Sequence, residues 1–224
     1  MKDIDFIGRL GVTRARIEAA VSGASVLAVT SALRTDGSTF LAAGLAQSLC
    51  SVGHEVLLVR MGEGSTTDRT APVRSRKADR EVPVSVREGK SGEPDTLYLG
   101  WSGSPASYSL EAAQAAFARF RERYAFTIVD ATVVLGNGTA LSLARAADGV
   151  LIALEKGRSG REVDRELAKV LRAAGATTLG IVTIDRRAIK SFSGGSEPAT
   201  LPLRGSRASA EEPLARTASV VSSG

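Results

Sequence analysis

Ser31-Ala32-Leu33-Arg34-Thr35-Asp36-Gly37-Ser38-Thr39 is the stretch whose reading decides the fold. The apolar run Val26-Leu27-Ala28-Val29 leads into it, and a small-residue helical pattern from Phe40 to Leu49 follows. A buried strand, a polar loop and a helix, in that order, form the setting in which backbone amides cradle phosphate, with the spacing G-x-x-x-x-G-K-[ST]. Gly37 supplies the second glycine, and Thr39 stands at the metal-ligand position. Ser38 stands where lysine is required, and the first glycine is displaced by Leu33 or Arg34, depending on alignment. Thr35, Asp36, Gly37, Ser38 and Thr39 are the candidate ligand-binding residues. The loop keeps the architecture of a phosphate site and lacks its main positive charge.

Working outward, apolar strands alternate with helical patterns. Ser25–Thr30, Val56–Val59, Thr96–Gly100, Phe126–Asp130, Val150–Leu154 and Leu179–Ile184 read as strands. Helices are expected at Val12–Val21 (with Thr13 as a cap), Ser38–Val52, Leu110–Tyr124, Thr139–Ala147 and Gly160–Ala174. Gly53 and Gly175 stand where helix ends favour glycine. Continuous apolar strands separated by helices predict a mostly parallel sheet covered on both faces, a three-layer α/β fold. Residues 1–24 read as an N-terminal segment, 25–187 as the α/β domain with a polar loop at 62–95, and 188–224 as a disordered basic tail. Ligands of such sheets sit at the carboxyl ends of the strands. The candidate loop, Arg60 and Asp130 all fall there, so the reading brings them to one crevice.

Composition narrows the function. No apolar run reaches the length of a membrane span, and Met1–Asp5 lacks the layout of a secretion signal. A single cysteine, Cys50, forms no internal disulfide and fits a reducing, cytoplasmic setting. It reads as a buried small hydrophobe, and the one histidine, His54, as a surface turn residue. The net charge is +5. Much of the excess lies in the tail, at Arg186, Arg187, Lys190, Arg204, Arg207 and Arg216, which reads as a solvated segment and argues against nucleic acid as a partner. Gly136-Asn137-Gly138 reads as a plain turn in preference to a nucleotide contact, Arg158 and Arg161 as the solvated start of a helix in preference to a phosphate contact, and Trp101 and Tyr108 as a cover over the sheet or a partner contact.

Four further stretches, Val29-Thr30-Ser31-Ala32, Gly53-His54-Glu55-Val56-Leu57-Leu58-Val59, Arg123-Tyr124-Ala125-Phe126-Thr127-Ile128-Val129-Asp130 and Ala147-Asp148-Gly149-Val150-Leu151, carry a resemblance. In this order and spacing they resemble the cytoplasmic ATPase domain of bacterial tyrosine kinases of capsule and exopolysaccharide synthesis. Those kinases belong with MinD and ParA in a deviant-Walker P-loop class. The resemblance covers about residues 25–185. It implies a P-loop NTPase-like fold, ATP or ADP with Mg²⁺ as ligands, and Thr39 and Asp130 as metal-handling residues, Asp130 being the catalytic acid. It implies a role at the inner face of the membrane, a membrane-embedded polysaccharide chain-length or export protein as partner, and homo-oligomers.

The departures from that pattern fall on the chemistry. Arg34 replaces a proline, Thr35 a glycine and Ser38 the lysine of the family loop S-A-x-P-G-E-G-K-S-T. Arg60 and Gly62 hold the places of the family's Asp-x-Asp pair, Thr139-Ala140 those of its later Asp-Ala pair, and no tyrosine follows Tyr124. Phosphoryl transfer depends on charge placed against the terminal phosphate and on a held metal. The expectation is a pseudoenzyme acting through protein contacts. Two alternatives stand beside it: a weak ATPase or tyrosine kinase, and a ParA/MinD-like positioning protein that binds DNA or membrane. Arg60 has three readings: an ion pair with Asp130, a substitute phosphate-binding charge, or a side chain turned to solvent.

Overall fold

The computed structural model describes residues 3–61, 84–99, 109–157 and 161–185. Its strands form one seven-stranded sheet. They are β1 (Ser25–Ser31), β2 (Val56–Met61), β3 (Val84–Arg87), β4 (Asp95–Leu99), β5 (Phe126–Val133), β6 (Gly149–Glu155) and β7 (Thr178–Ile184). The sheet order is β3-β4-β2-β5-β1-β6-β7, and every neighbouring pair is parallel except β3 with β4. This is the mostly parallel α/β fold that the alternating pattern predicts.

The helices are α1 (Asp3–Ala20), α2 (Ser38–Cys50), α3 (Leu110–Arg121), α4 (Gly138–Ala146) and α5 (Glu162–Ala173). They make two layers because successive strand side chains point to opposite faces. From β1, Leu27 and Val29 join one apolar core with Leu10 and Ile17 of α1 and Phe40, Leu41, Leu45 and Leu49 of α2. Val26 and Ala28 of the same strand join the other core, with Phe117 of α3, Leu143 of α4 and Leu167 and Leu171 of α5. Burial of both faces explains why β1 and β6 carry near-continuous apolar runs, and both are buried along their whole length.

Several expectations are corrected. Within the stretch read as a polar loop, Val84–Arg87 is a strand, antiparallel to β4. An antiparallel edge strand can be short and Ser/Arg-bearing, so it carries no apolar run to betray it. Residues 62–83, together with Trp101, Tyr108 and Arg158, lie outside the described residues. The first helix begins at Asp3, so Thr13 sits in its middle and is not a cap. His54 is half-buried, not a plain surface turn: its Nε2 lies 3.0 Å from Glu18 Oε1 of α1, and its ring meets Phe126 edge-on at 5.0 Å. Cys50 is buried, and burial pushes its thiol up to about 11.

Candidate functional site

The loop between β1 and α2 begins as a 3₁₀ turn, Arg34–Asp36, and closes on Gly37, whose φ of 84° and ψ of 26° are left-handed. Glycine takes that conformation without a Cβ penalty, which is why it is needed where the chain swings into the helix. From Gly37 onward the chain is helical, and the first amides of α2 have no acceptor one turn earlier in the helix, a geometry that favours anions. Ser38 is buried at the first helical position, with no charged group in place of lysine.

Asp36 does not point outward to meet a ligand. Its side chain is fully buried. Oδ2 accepts from Leu33 N at 3.2 Å and from Arg161 Nη2 at 2.7 Å. Arg161 arrives from the opposite side of the loop, at the residue that opens α5. Its fork is also held by Asp164, through Nη2 to Oδ1 at 2.9 Å and Nε to Oδ2 at 3.2 Å, while Asp164 Oδ2 accepts from the Arg161 amide at 3.1 Å. Two carboxylates on one guanidinium hold its pKa far above the usual arginine range, Asp164 contributing most. Among the described residues, Asp36 Oδ1 and Arg161 Nη1 are buried without a hydrogen-bond partner.

Asp130 lies in the carboxyl half of β5, three residues before its end, within hydrogen-bond reach of Thr39 in α2. It is buried, and burial pushes its carboxyl above the ordinary aspartate range. Three smaller influences oppose that shift: a hydrogen bond with the Thr39 side chain, one from Thr132 N, and the Arg60 charge. The Thr132 N to Asp130 Oδ1 distance is 3.2 Å. The backbone is shaped for this contact. The β1–β5 register slips between Val29 and Thr30, and Thr132 takes a φ of 51°, unusual for a β-branched residue. Thr30 Oγ1 donates to Thr132 O at 2.8 Å and holds the bulge.

Arg60 pairs in strand register with Asp130. Its guanidinium nevertheless lies over the Tyr98 ring, 5.9 Å from the centroid, and makes no ion pair with Asp130. The structure thus brings the Thr39 side chain and the Arg60 charge to bear on Asp130, and engages Asp36 with Leu33 N and Arg161. Thr35 belongs to the 3₁₀ turn; its side chain is not described. Asn137 is a helix cap, its Oδ1 accepting from Ala140 N at 3.1 Å. Sequence reading missed the long-range partner of Asp36. The available signal was local: Arg161-x-x-Asp164 has the three-residue spacing that ties a helix start, and so removes Arg161 from solvent.

No protein-family model matches this sequence, and no curated protein matches it. Solved structures do. The BceF tyrosine kinase domain aligns at 20% identity over 80% of this chain and 76% of that one, with a TM-score of 0.58. The kinase domain of the Escherichia coli tyrosine kinase ETK aligns at 16% identity over 73% and 69%, with a TM-score of 0.56. The septum site-determining protein MinD of Pyrococcus horikoshii, complexed with Mg-ADP, aligns at 18% identity over 72% and 70%, with a TM-score of 0.52. The chain therefore has the P-loop α/β fold of bacterial tyrosine kinase domains and MinD-type ATPases. The likeness is one of fold.

The donor set fits that fold's magnesium nucleotide only in part. Amides at the start of α2 suit an anion. Thr39 and Asp130 are the residues that would stand near a metal, and no cation replaces the lysine at position 38. Among the described residues no group of three or more His, Cys, Asp or Glu side chains could hold a metal ion.

Proposed function

We propose that this chain is a degenerate P-loop domain that works through protein contacts in the control or assembly of polysaccharide synthesis and export. One observation carries the reading. The loop position that should neutralise phosphate holds a buried Ser38, and the guanidinium that reaches the loop from α5 is already engaged by Asp36. A nucleotide would meet an amide cradle without the charge that makes such cradles bind tightly.

The setting follows from the likeness to the tyrosine kinase domains and to the stretches that resemble capsule and exopolysaccharide kinases. In this reading the protein is cytoplasmic and sits at the inner face of the membrane through a membrane-embedded chain-length or export protein. No helix among the described residues is long and apolar enough to cross a membrane. Residues 25–187 form the contact domain, and residues 188–224 a basic tail.

Isothermal titration of the full chain with ATP and with ADP, with and without Mg²⁺, tests the proposal. The expected result is no heat of binding up to millimolar nucleotide. Micromolar, Mg²⁺-dependent binding would overturn it.

A further inference from the structure

We propose that the Asp36–Arg161 pair is an internal clasp that closes the β1–α2 loop against anions, with Arg161 as its positioning residue. The inference rests on the reading of the loop as one that does not engage nucleotide, and supplies the physical cause. Asp36 is a carboxylate planted in the loop itself, with zero exposure. Its Oδ2 takes a loop amide, Leu33 N, and the Arg161 guanidinium together. Those are the two kinds of donor, amide and guanidinium, that an external phosphate would seek.

Charge counting points the same way. Arg161 carries one positive charge and faces two carboxylates, Asp36 and Asp164, so the trio is net negative beside the start of α2. A polyanion approaching that end is repelled, and it gains Arg161 only by displacing Asp36. The clasp is also incompletely satisfied. Asp36 Oδ1 and Arg161 Nη1 are both buried and unpartnered among the described residues, so the closed state carries the cost of an unpaired acceptor and an unpaired donor. A contact of that kind can be exchanged for another. It joins elements 125 residues apart in sequence, the loop and the start of α5, so opening it would change the surface at the carboxyl edge of β1 and β6.

The test uses inorganic pyrophosphate without metal as probe, with the full-length chain and its Asp36→Asn, Arg161→Gln and doubly substituted forms. Asp36→Asn keeps an acceptor for Leu33 N and removes the competing charge. Its pyrophosphate affinity by titration calorimetry is expected to rise about tenfold or more over the unsubstituted chain. The gain should vanish in the double variant. Arg161→Gln should speed hydrogen exchange of the amides of residues 33–39 by about tenfold, leaving β1 and β5 protected. If Asp36→Asn does not fold, the Arg161→Gln exchange result decides. Unchanged pyrophosphate affinity in folded Asp36→Asn, a gain that survives loss of Arg161, or unchanged loop exchange in Arg161→Gln would each overturn the clasp. Micromolar Mg-ATP binding by the unsubstituted chain would instead overturn the proposed function, so the two failures are distinguishable.

Discussion

Asp148 carries one of the stretches by which the fold is recognised, and its role can be measured. It lies in the two-residue gap between α4 and β6, immediately before the first residue of β6. Its amide donates to Val26 O at 2.8 Å, and its Oδ2 accepts from Val26 N at 2.7 Å. The side chain thereby supplies the ladder bond that β6, which starts one residue later opposite Leu27, cannot give to Val26. Val26 is fully buried. Arg121 of α3 holds the same carboxylate through Nη2 at 2.8 and 2.9 Å and Nε at 3.3 Å, in a pair that is roughly one-third exposed. Truncation in Asp148→Ala therefore strands a buried amide, at about 1–3 kcal/mol. It also loses a partly exposed ion pair worth about 0.2–1 kcal/mol. Asp148→Asn keeps an oxygen for Val26 N and loses mainly the ion pair, so it should cost about 1 kcal/mol or less. Urea unfolding followed by far-ultraviolet circular dichroism measures both. The midpoint should fall in the order Asn then Ala, with the slope unchanged. Equal losses in the two variants would refute the reasoning, because the anchored amide would then contribute nothing beyond the charge.

Asp130 gives a pH dependence of defined sign. Burial raises its folded-state pKa above the ordinary value, so its contribution to stability is fullest below the usual aspartate range and is lost as pH rises through the folded value. Asp130→Asn removes that loss: relative to the original chain, its urea midpoint should improve as pH is raised from acid toward neutral, and a constant difference would contradict it. At the other end of the sheet, Gly149→Ala would drive a Cβ into the Leu179 side chain. Overpacking of that kind costs about 1–3 kcal/mol, read as a lowered thermal midpoint.

The sheet was legible because its cause is written locally. Val26–Val29, Val56–Val59 and Val150–Leu154 are apolar at every position, which only a strand covered on both faces requires. Asp130 and Arg60 fall in the carboxyl halves of β5 and β2, but β5 runs three residues beyond Asp130, where the expected strand stopped. Side-chain direction was not legible. Arg60 shares a register position with Asp130, yet Tyr98 of β4, a strand reached through residues 62–83, offers it an aromatic face. β3 was missed for want of an apolar run. The partner of Asp36 was hidden for a different reason: no periodicity links position 36 to position 161.

The separation between what was read and what was missed has a physical basis that bears on function. Asp148, Thr30 and Gly37 act on the chain's own backbone: a carboxylate on Val26 N, a hydroxyl on Thr132 O, a left-handed turn into α2. Losing any of them strands a buried polar group or strains a turn, so a chain that keeps the fold must keep them or replace them. Position 38 is under no such constraint. A lysine there serves a ligand, and a serine packs at the helix start without leaving a buried charge. Asp36 is the intermediate case. As a buried carboxylate it demands a cation, and in a loop without lysine that demand falls on Arg161. Position 38 is thus free to vary with the ligand, whereas Asp36, once buried in the loop, is tied to a cation on another element.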